Sequence, residues 1–206
     1  VTVTVDRSAP SVAIVAPVSG AFVKGPAVSI SGTAADLALA SVDVNGVRAA
    51  LSTGAFTADV PVSDGAVTIV ATASDRAGNT ATASTSIVVD SVPPAMRVSL
   101  ATDGGATPVR PQFTFTAIDN TAIDPASFAA TLDGQPMLVT MTSAGPSQYM
   151  FVAVPSLDLA EGEHTYAAVI ADRAGNATVF AAQPYTVRLT PVGTIRGRLL
   201  ASDRVT

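Results

Sequence analysis

The pentapeptide Asp-Arg-Ala-Gly-Asn occurs at residues 75–79 and again at residues 172–176, and this repeat constrains the fold more than any other feature. The two copies lie 97 positions apart, and each follows an alternating apolar run, "GAVTIVATASD" in the first and "GEHTYAAVIAD" in the second. A spacing of about 100 residues is the size of one antiparallel β-sandwich. A chain of 206 residues therefore has room for a tandem duplication of one such domain.

Apolar and polar residues alternate throughout both halves, in short runs rich in β-branched residues. Turn sequences such as "VNG", "STG" and "SDG" separate these runs, and turns at such close spacing are typical of a sandwich or barrel. One short helical turn is predicted near Pro125, within residues 121–130. Matched residues of the two copies should line the same face of their strand: Val67, Ile69, Ala71 and Ala73 in the first, and His164, Tyr166, Ala168 and Ile170 in the second.

The repeated pentapeptide is predicted to be a hairpin turn. Asp75 suits the first position of a type I turn, where its carboxylate accepts hydrogen bonds from the turn backbone. Gly78 supplies the positive φ that closes a three-residue hairpin. Residues 172–176 should fold in the same way, and the alternative that these turns also contribute to a site stays open.

The junctions between repeats match as well. The string "TVDRSAPSVAI" at residues 4–14 parallels "VVDSVPPAMRV" at residues 88–98. The linker "DSVPP" is short and contains proline, so it should be semi-rigid. The predicted division is the end of a preceding repeat at residues 1–6, one domain at 7–90, a second at 91–190, and the start of a following β-module at 191–206.

Composition excludes several classes of function. The chain has no cysteine, so it has no disulfide framework. Its formal net charge is −5 and its 11 basic residues are scattered, which argues against nucleic acid as a partner. The mean hydropathy is positive, at +0.44, but no run approaches the roughly 20 apolar residues of a spanning helix. No membrane span is therefore predicted in this segment.

Catalytic constellations are not found. His164 is the single histidine, and it begins a predicted strand with no Gly-x-Ser-x-Gly elbow nearby. The only glutamates, Glu161 and Glu163, flank Gly162 in a predicted turn and do not form a glycosidase pair. Tryptophan is absent, and core or cross-strand packing explains Tyr149, Tyr166 and Tyr185 more simply than exposure to a sugar. Carbohydrate binding stays open as an alternative, with no specific residue assigned to it. The sequence predicts no catalytic residues, no cofactor-binding residues and a protein that is not an enzyme.

Calcium is the one cofactor for which candidate ligands exist. Asp90 ends a predicted strand at the junction, and Asp119, Asn120 and Asp124 lie in a loop of the next repeat that could fold back toward it. Asp6 has the same relation to Asp36 in the first repeat. No dense Asp-x-Asp-x-Asp-Gly loop is present, and aspartate as a turn former is the alternative explanation of these residues.

Several segments resemble bacterial immunoglobulin-like repeat domains. The string "LAEGEHTYAAVIADRAGN" is similar to their last hairpin, and "VDRSAPSV" and "VDSVPP" are similar to their junctions. "PVSGAFVKGPAVSISGTAAD" in the first copy resembles the variant attached to secreted bacterial glucosidases and large surface proteins. The resemblance implies an all-β chain of two tandem immunoglobulin-like β-sandwiches of about seven strands each.

The resemblance also implies a function and a location. Such tandem modules are structural or spacer segments of longer secreted or cell-surface bacterial proteins, as in a stalk, an adhesin or a surface filament. The alternative is a binding or accessory module, for a glycan or a host protein, attached to a secreted enzyme. The expected partners are neighbouring repeats of the same chain, with self-association or a surface glycan or protein as further candidates.

Overall fold

The computed structural model describes residues 5–100 and 109–188, and every regular element within them is a β-strand. The predicted all-β fold is confirmed, as two immunoglobulin-like sandwiches in tandem. The predicted start of a following module, residues 191–206, lies outside the described residues, as do residues 1–4 of the predicted preceding repeat.

The first sandwich has two antiparallel sheets with one parallel edge pair. One sheet has the strand order β1-β3-β7-β6 and the other the order β2-β9-β8-β4-β5, where only the β2–β9 pair is parallel. The strands are β1 (Ser11–Ala16), β2 (Phe22–Val23), β3 (Ala27–Ala35), β4 (Leu39–Val44), β5 (Val47–Arg48), β6 (Ala50–Ser52), β7 (Ala55–Pro61), β8 (Gly65–Asp75) and β9 (Thr80–Val89).

The core of the first sandwich follows from the alternation of its strands. Every second residue of β7 is buried, and the same holds along most of β8. These inward residues meet across the two sheets, where the hydrophobic effect favours their removal from water. The largest of them that are fully buried are Phe56, Ile30, Ile69, Ile87, Val42, Val44 and Val60.

The second sandwich has two four-stranded antiparallel sheets. Their strand orders are β10-β11-β15-β14 and β13-β12-β16-β17. The strands are β10 (Ala95–Leu100), β11 (Phe113–Ile118), β12 (Ile123–Leu132), β13 (Gln135–Pro136), β14 (Leu138–Gly145), β15 (Gln148–Val154), β16 (Gly162–Asp172) and β17 (Ala177–Val187).

Aromatic rings dominate the core of the second sandwich. Phe128 stacks on Phe151 with ring centroids 4.0 Å apart, and Phe113 lies 4.6 Å from Tyr166. The matched face of the repeated strand points into the core in both copies, with Ile69 and Ile170 fully buried at its centre. The two cores are separate clusters, one in each sandwich.

Both copies of the pentapeptide form the predicted hairpin turn, between β8 and β9 and between β16 and β17. Gly78 and Gly175 have φ values of 92° and 87°, which only glycine adopts without strain. The amide of Asp75 donates to the carbonyl of Asn79 at 3.1 Å, and the equivalent bond from Asp172 to Asn176 is 3.0 Å. The turns therefore close the longest hairpin of each domain.

The helical turn predicted near Pro125 is wrong, because this segment belongs to strand β12. Its ends pair with β16, while the register shifts between Asp124 and Ala129. Proline lacks an amide hydrogen and is tolerated in such a bulge. The hydroxyl of Ser127 fills the gap, since its oxygen accepts from the amide of Ala171 at 2.8 Å and its hydrogen is donated to the carbonyl of Asp124 at 2.6 Å.

Candidate metal centre

Three aspartates converge where the linker meets the second sandwich. Asp90 follows the end of β9, Asp119 follows β11, and Asp172 is the first residue of the second repeated turn. One carboxylate oxygen of each lies within 4.8 Å of the others. These three residues are called the junction trio below.

Backbone contacts explain why these segments meet. The last residue of β16, Asp172, pairs with Ile123 of β12, and the next amide, of Arg173, donates to the carbonyl of Ala122 at 2.9 Å. The repeated turn is thereby fixed against the loop that carries Asp119. A feature that looks purely local in the sequence thus brings a carboxylate to the domain junction.

The junction trio is almost completely removed from solvent. The exposed fractions are 0% for Asp90, 8% for Asp119 and 2% for Asp172. Buried carboxylates are rare in proteins unless they are paired with a cation or well hydrogen-bonded. The ion pairs Arg48–Asp43, Arg110–Asp158 and His164–Asp133 lie elsewhere in the described residues.

Asp90 accepts three hydrogen bonds from neutral donors. The amide of Val92 donates to Oδ1 at 3.0 Å, Asn120 Nδ2 donates to the same oxygen at 3.3 Å, and the hydroxyl of Thr121 donates to Oδ2. Burial by itself would raise the pKa of Asp90, but these bonds outweigh it and hold the pKa below the ordinary value of 3.8. Asp90 is therefore ionised at neutral pH.

Asn176, the last residue of the repeated turn, serves two members of the trio. Its amide donates to Asp172 Oδ1 at 2.8 Å, and its Nδ2 donates to Asp172 Oδ2 at 2.6 Å. The same Nδ2 group donates to the backbone carbonyl of Asp90 at 2.9 Å. This side chain therefore joins the turn directly to the start of the linker.

Asp119 has one carboxylate oxygen without a partner. Its Oδ1 accepts from the amide of Thr121 at 2.8 Å, and the Thr121 hydroxyl oxygen, whose single hydrogen is donated to Asp90, lies 3.0 Å from the same atom. Its Oδ2 is buried and has no hydrogen bond. An unsatisfied buried oxygen costs about 1–3 kcal/mol, and more when the group is charged, so this atom needs an explanation.

The electrostatics of the trio add to that cost. The three oxygens lie within 4.8 Å of one another, and two unit charges at that upper limit repel by about 3.5 kcal/mol at an effective dielectric constant of about 20. The hydrogen bonds described above stabilise each carboxylate without cancelling this repulsion. The arrangement therefore calls for a positive charge, either a proton shared within the trio or a bound cation.

The first sandwich repeats the arrangement in a less complete form. Asp6, Asp36 and Asp75 also bring carboxylate oxygens within 4.8 Å of one another. A hydrogen bond from the Asn79 side chain lowers the pKa of Asp75, against the effect of burial. The bond from Asn79 Nδ2 to the carbonyl of Asp6 is 3.4 Å long, against 2.9 Å in the second copy.

Two further contacts cross from the first sandwich and the linker to the second sandwich. The hydroxyl of Thr178 in β17 donates to the carbonyl of Pro94 in the linker. The guanidinium of Arg173 lies 5.6 Å from the ring centroid of Phe22 in the first sandwich, within cation–π range. The second repeated turn is thus in contact with both the linker and the preceding domain.

The sequence-based calcium candidates are only partly brought together. Asp90 and Asp119 belong to the trio, but Asn120 contributes an amide donor to Asp90 and not an oxygen in this arrangement. Asp124 is not part of the trio, and its carboxylate accepts from the amide of Ala126 at 3.1 Å. The sequence predicts Asp172 as a turn residue and leaves open whether the turn also contributes to a site.

The single histidine has a structural role. His164 Nδ1 lies 2.6 Å from Asp133 Oδ2, and its Nε2 lies 3.0 Å from the carbonyl of Ala160. Both partners are acceptors, so the ring fits best as an imidazolium that donates twice. These two bonds raise the pKa of His164 above 6.5.

Comparison with known families gives a match within the first sandwich. Residues 10–91 match the family described as glucodextranase, domain B. That domain is an immunoglobulin-like, non-catalytic module, and the first sandwich has the corresponding two-sheet fold. The chain carries bacterial immunoglobulin-like domains. The predicted resemblance is thereby confirmed, and no catalytic family is matched.

Solved structures give similar chains at low identity. Fibronectin(III)-like modules of CbhA from Clostridium thermocellum are 18% identical with a TM-score of 0.49, covering 86% of this chain and 94% of theirs. Murine CEACAM1b is 12% identical with a TM-score of 0.42, covering 87% and 98%.

A third similar structure is a glucan-utilisation protein, SGBP-B of Bacteroides ovatus, in complex with a mixed-linkage heptasaccharide. It is 14% identical with a TM-score of 0.31, covering 86% of this chain and 47% of its own. The search of curated proteins gives no match. None of the described segments forms a helix with the length and apolar character needed to cross a bilayer.

Proposed function

We propose that this pair of bacterial immunoglobulin-like domains is a non-catalytic spacer segment of a longer secreted or cell-surface protein. Its task is mechanical: two packed sandwiches, joined by a short linker, hold a neighbouring module at a distance from the anchor. An acidic surface, with a net charge of −5, helps to keep such an array soluble.

The linkage at the junction is the observation that carries this proposal. The linker between β9 and β10 is five residues long, residues 90–94, and both its ends are bonded to the second sandwich. Asn176 binds the carbonyl of Asp90, and Thr178 binds that of Pro94. A linker held at both ends restricts the angle between the domains, which is what a spacer requires.

The aromatic residues support a spacer over a sugar-binding module. All seven Phe and all three Tyr of the chain lie in the described residues, and each is buried or half-buried. Binding of glycans through stacking requires exposed rings. The aromatic rings of this chain are used for packing, chiefly in the second core.

Small-angle scattering of the two-domain chain tests the spacer role. A compact particle of 206 residues would have a radius of gyration of about 17 Å. We expect a clearly larger value and a two-lobed distance distribution. A matched variant with residues 91–94 replaced by Gly-Ser-Gly-Ser should scatter as a more flexible particle. A compact native particle would contradict the proposal.

The second candidate function is an accessory module beside a secreted enzyme. The match of residues 10–91 to domain B of glucodextranase favours it, since that domain accompanies a catalytic one. It predicts that the chain changes the activity of an attached glucan hydrolase. Comparing the attached enzyme with and without residues 7–190 on a polymeric substrate distinguishes this function from a spacer, which should leave the activity of the isolated enzyme unchanged.

If the chain is part of a surface filament, copies of it must associate with one another. We propose that this contact lies at strand β14. This strand is an edge of its sheet, and seven of its eight residues are exposed. Leu138 and Met141 on it are 61% and 60% exposed. An exposed apolar edge strand offers unpaired backbone groups to another chain. Sedimentation of the wild type and of M141K at increasing concentration tests it, and identical monomeric behaviour would count against it.

A further inference from the structure

We propose that the junction trio, Asp90, Asp119 and Asp172, binds one hard divalent cation of the calcium class. The bound cation would fasten the linker to the second sandwich. This inference goes beyond the spacer role, since a spacer whose linker is held by hydrogen bonds needs no cation.

The buried oxygen of Asp119 is the observation that points to a ligand. Asp119 is 8% exposed, and its Oδ2 has no hydrogen-bond partner in a site shared with two other carboxylates. The other oxygen of the same group, Oδ1, accepts from the amide of Thr121 at 2.8 Å, whereas the Thr121 hydroxyl donates to Asp90. A buried acceptor without a hydrogen bond, in a site of three carboxylates, is what a ligand of a cation would look like.

The donor set selects the class of cation. All three side chains of the trio offer carboxylate oxygen, and neither nitrogen nor sulfur ligands are among them. Calcium takes six to eight oxygen ligands in flexible geometry, whereas zinc favours histidine and cysteine. Thr121 Oγ1 lies against both Asp90 and Asp119 and is one further oxygen at this position.

The positions of the ligands in the chain give the cation its effect. Asp90 begins the linker, Asp119 follows β11, and Asp172 ends β16, so one ion would connect three segments that are distant in sequence. The Asp6, Asp36 and Asp75 group has the same pattern, but none of its oxygens is a buried atom without a partner. The expected stoichiometry in the described residues is therefore one.

Isothermal titration of the full 206-residue chain with CaCl2, after treatment with chelator, is the primary test. We expect a Kd of about 10⁻⁴–10⁻³ M, as in extracellular calcium modules. D119N removes one charge and keeps the shape of the side chain, so it should weaken binding by about tenfold or more. D124N and D36N are matched controls, which change an aspartate near the trio and one in the first-domain group, and both should bind as the wild type.

A site occupied by a shared proton in place of a cation gives different results. In that case no heat of binding is seen with up to 10 mM CaCl2, about tenfold above the weakest affinity expected, and carboxyl ¹³C spectra at pH 7 show a protonated aspartate. Either result overturns the proposal. Binding that D119N leaves unchanged also overturns it, because the cation would then be elsewhere. None of these results bears on the scattering test of the spacer role.

Amide NMR keeps the test valid if D119N fails to fold. The amides of Val92, Thr121 and Asn176 each donate to a carboxylate oxygen of the trio. In the wild type, calcium should shift these three signals first and to the greatest extent, while the amide of Ala38, bonded to Asp36, stays in place. Shifts confined to other regions, or no shifts, would refute the site.

Discussion

Replacing Asn176 by alanine should destabilise the second sandwich strongly. The side chain of Asn176 makes two hydrogen bonds, to the carbonyl of Asp90 at 2.9 Å and to Asp172 Oδ2 at 2.6 Å. Both acceptors belong to residues that are at most 2% exposed. N176A removes the donor of both bonds and provides no replacement in the buried site.

The expected cost follows from the acceptors that lose their partner. A buried acceptor without a hydrogen bond costs about 1–3 kcal/mol, and more when it is charged. Two such acceptors give an expected loss of about 2–6 kcal/mol in the free energy of unfolding. For a domain of this size, that loss lowers the melting temperature by about 4–8 °C for each kcal/mol.

The repeated pentapeptide supplies a matched control, N79A in the first sandwich. Asn79 occupies the same position in its turn, but it is only half-buried and its bond to the carbonyl of Asp6 is 3.4 Å long. The same change of side chain should therefore cost less there. The difference between the two losses in the free energy of unfolding separates the effect of burial at the junction from the effect of the turn itself.

Tyrosine fluorescence separates the two domains in this assay. The chain has no Trp, and its three Tyr, at positions 149, 166 and 185, all lie in the second sandwich. Urea unfolding followed by tyrosine emission thus reports that domain alone, while far-UV circular dichroism reports both. Chelator is present throughout, so that a bound cation does not contribute.

N176A should move the tyrosine transition to lower urea, and N79A should leave that transition in place while shifting the circular dichroism signal. A cost below about 1 kcal/mol for N176A would place it under the range for even one unsatisfied buried acceptor. An equal cost for both variants would show that only the turn matters. Either result refutes the reasoning about the junction.

Two other predictions use the first sheet and the histidine pair. A Cβ atom on Gly32 would lie 2.2 Å from the carbonyl oxygen of Ala13 and 2.4 Å from the ring of Phe56. G32A should therefore lower the free energy of unfolding by about 1–3 kcal/mol or more, as measured by urea unfolding followed by circular dichroism. Unchanged stability would contradict this packing. The His164–Asp133 pair raises the pKa of His164 above 6.5 and lowers that of Asp133 below 3.8. The histidine part of its stabilisation is present below pH 6.5 and is lost as pH rises through the raised pKa, and the aspartate part is lost as pH falls through the lowered pKa. Asp133 is half exposed, so solvent weakens this pair. H164Q should lower the free energy of unfolding by less than about 1 kcal/mol near pH 5, and by a smaller amount near pH 8, in tyrosine-detected urea unfolding. A loss that is greater at pH 8 than at pH 5 would contradict the assignment.

The sequence was sufficient to predict the fold because its signals are local and agree with one another. Alternating runs such as that of β8, and a glycine at the position of Gly78, specify strands and turns through sterics and burial. The repeat at a spacing of 97 residues then indicates a duplication without any knowledge of contacts. The division at residues 7–90 and 91–190 stays a prediction.

The junction trio could be predicted only in part. Asp90 and Asp119 can be predicted from the sequence because each stands just after a strand near the junction. The sequence predicts Asp172 as part of its turn, because the neighbouring residues of that turn are enough to account for an aspartate at this position. Its second role depends on the pairing of β16 with β12, which brings residue 123 opposite residue 172 and is a non-local contact.

The error near Pro125 has the same origin. The string "IDPASF" carries the local features of a helix start, an aspartate followed by a proline. Pairing of Ile123 and Leu132 with β16 at the two ends of β12 overrides that preference. The hydroxyl of Ser127 then accepts a hydrogen bond from the amide of Ala171 within the bulge.

A distance distribution between spin labels on the two sandwiches tests the central claim, a junction that holds the domains at a fixed angle. The chain has no cysteine, so S52C and T140C, at exposed positions on β6 and β14, give one defined pair of labels. Pulsed electron resonance should show a single narrow distribution with the native linker and a broad one when residues 91–94 are replaced by Gly-Ser-Gly-Ser. A broad distribution with the native linker, in calcium as well as in chelator, would contradict the account.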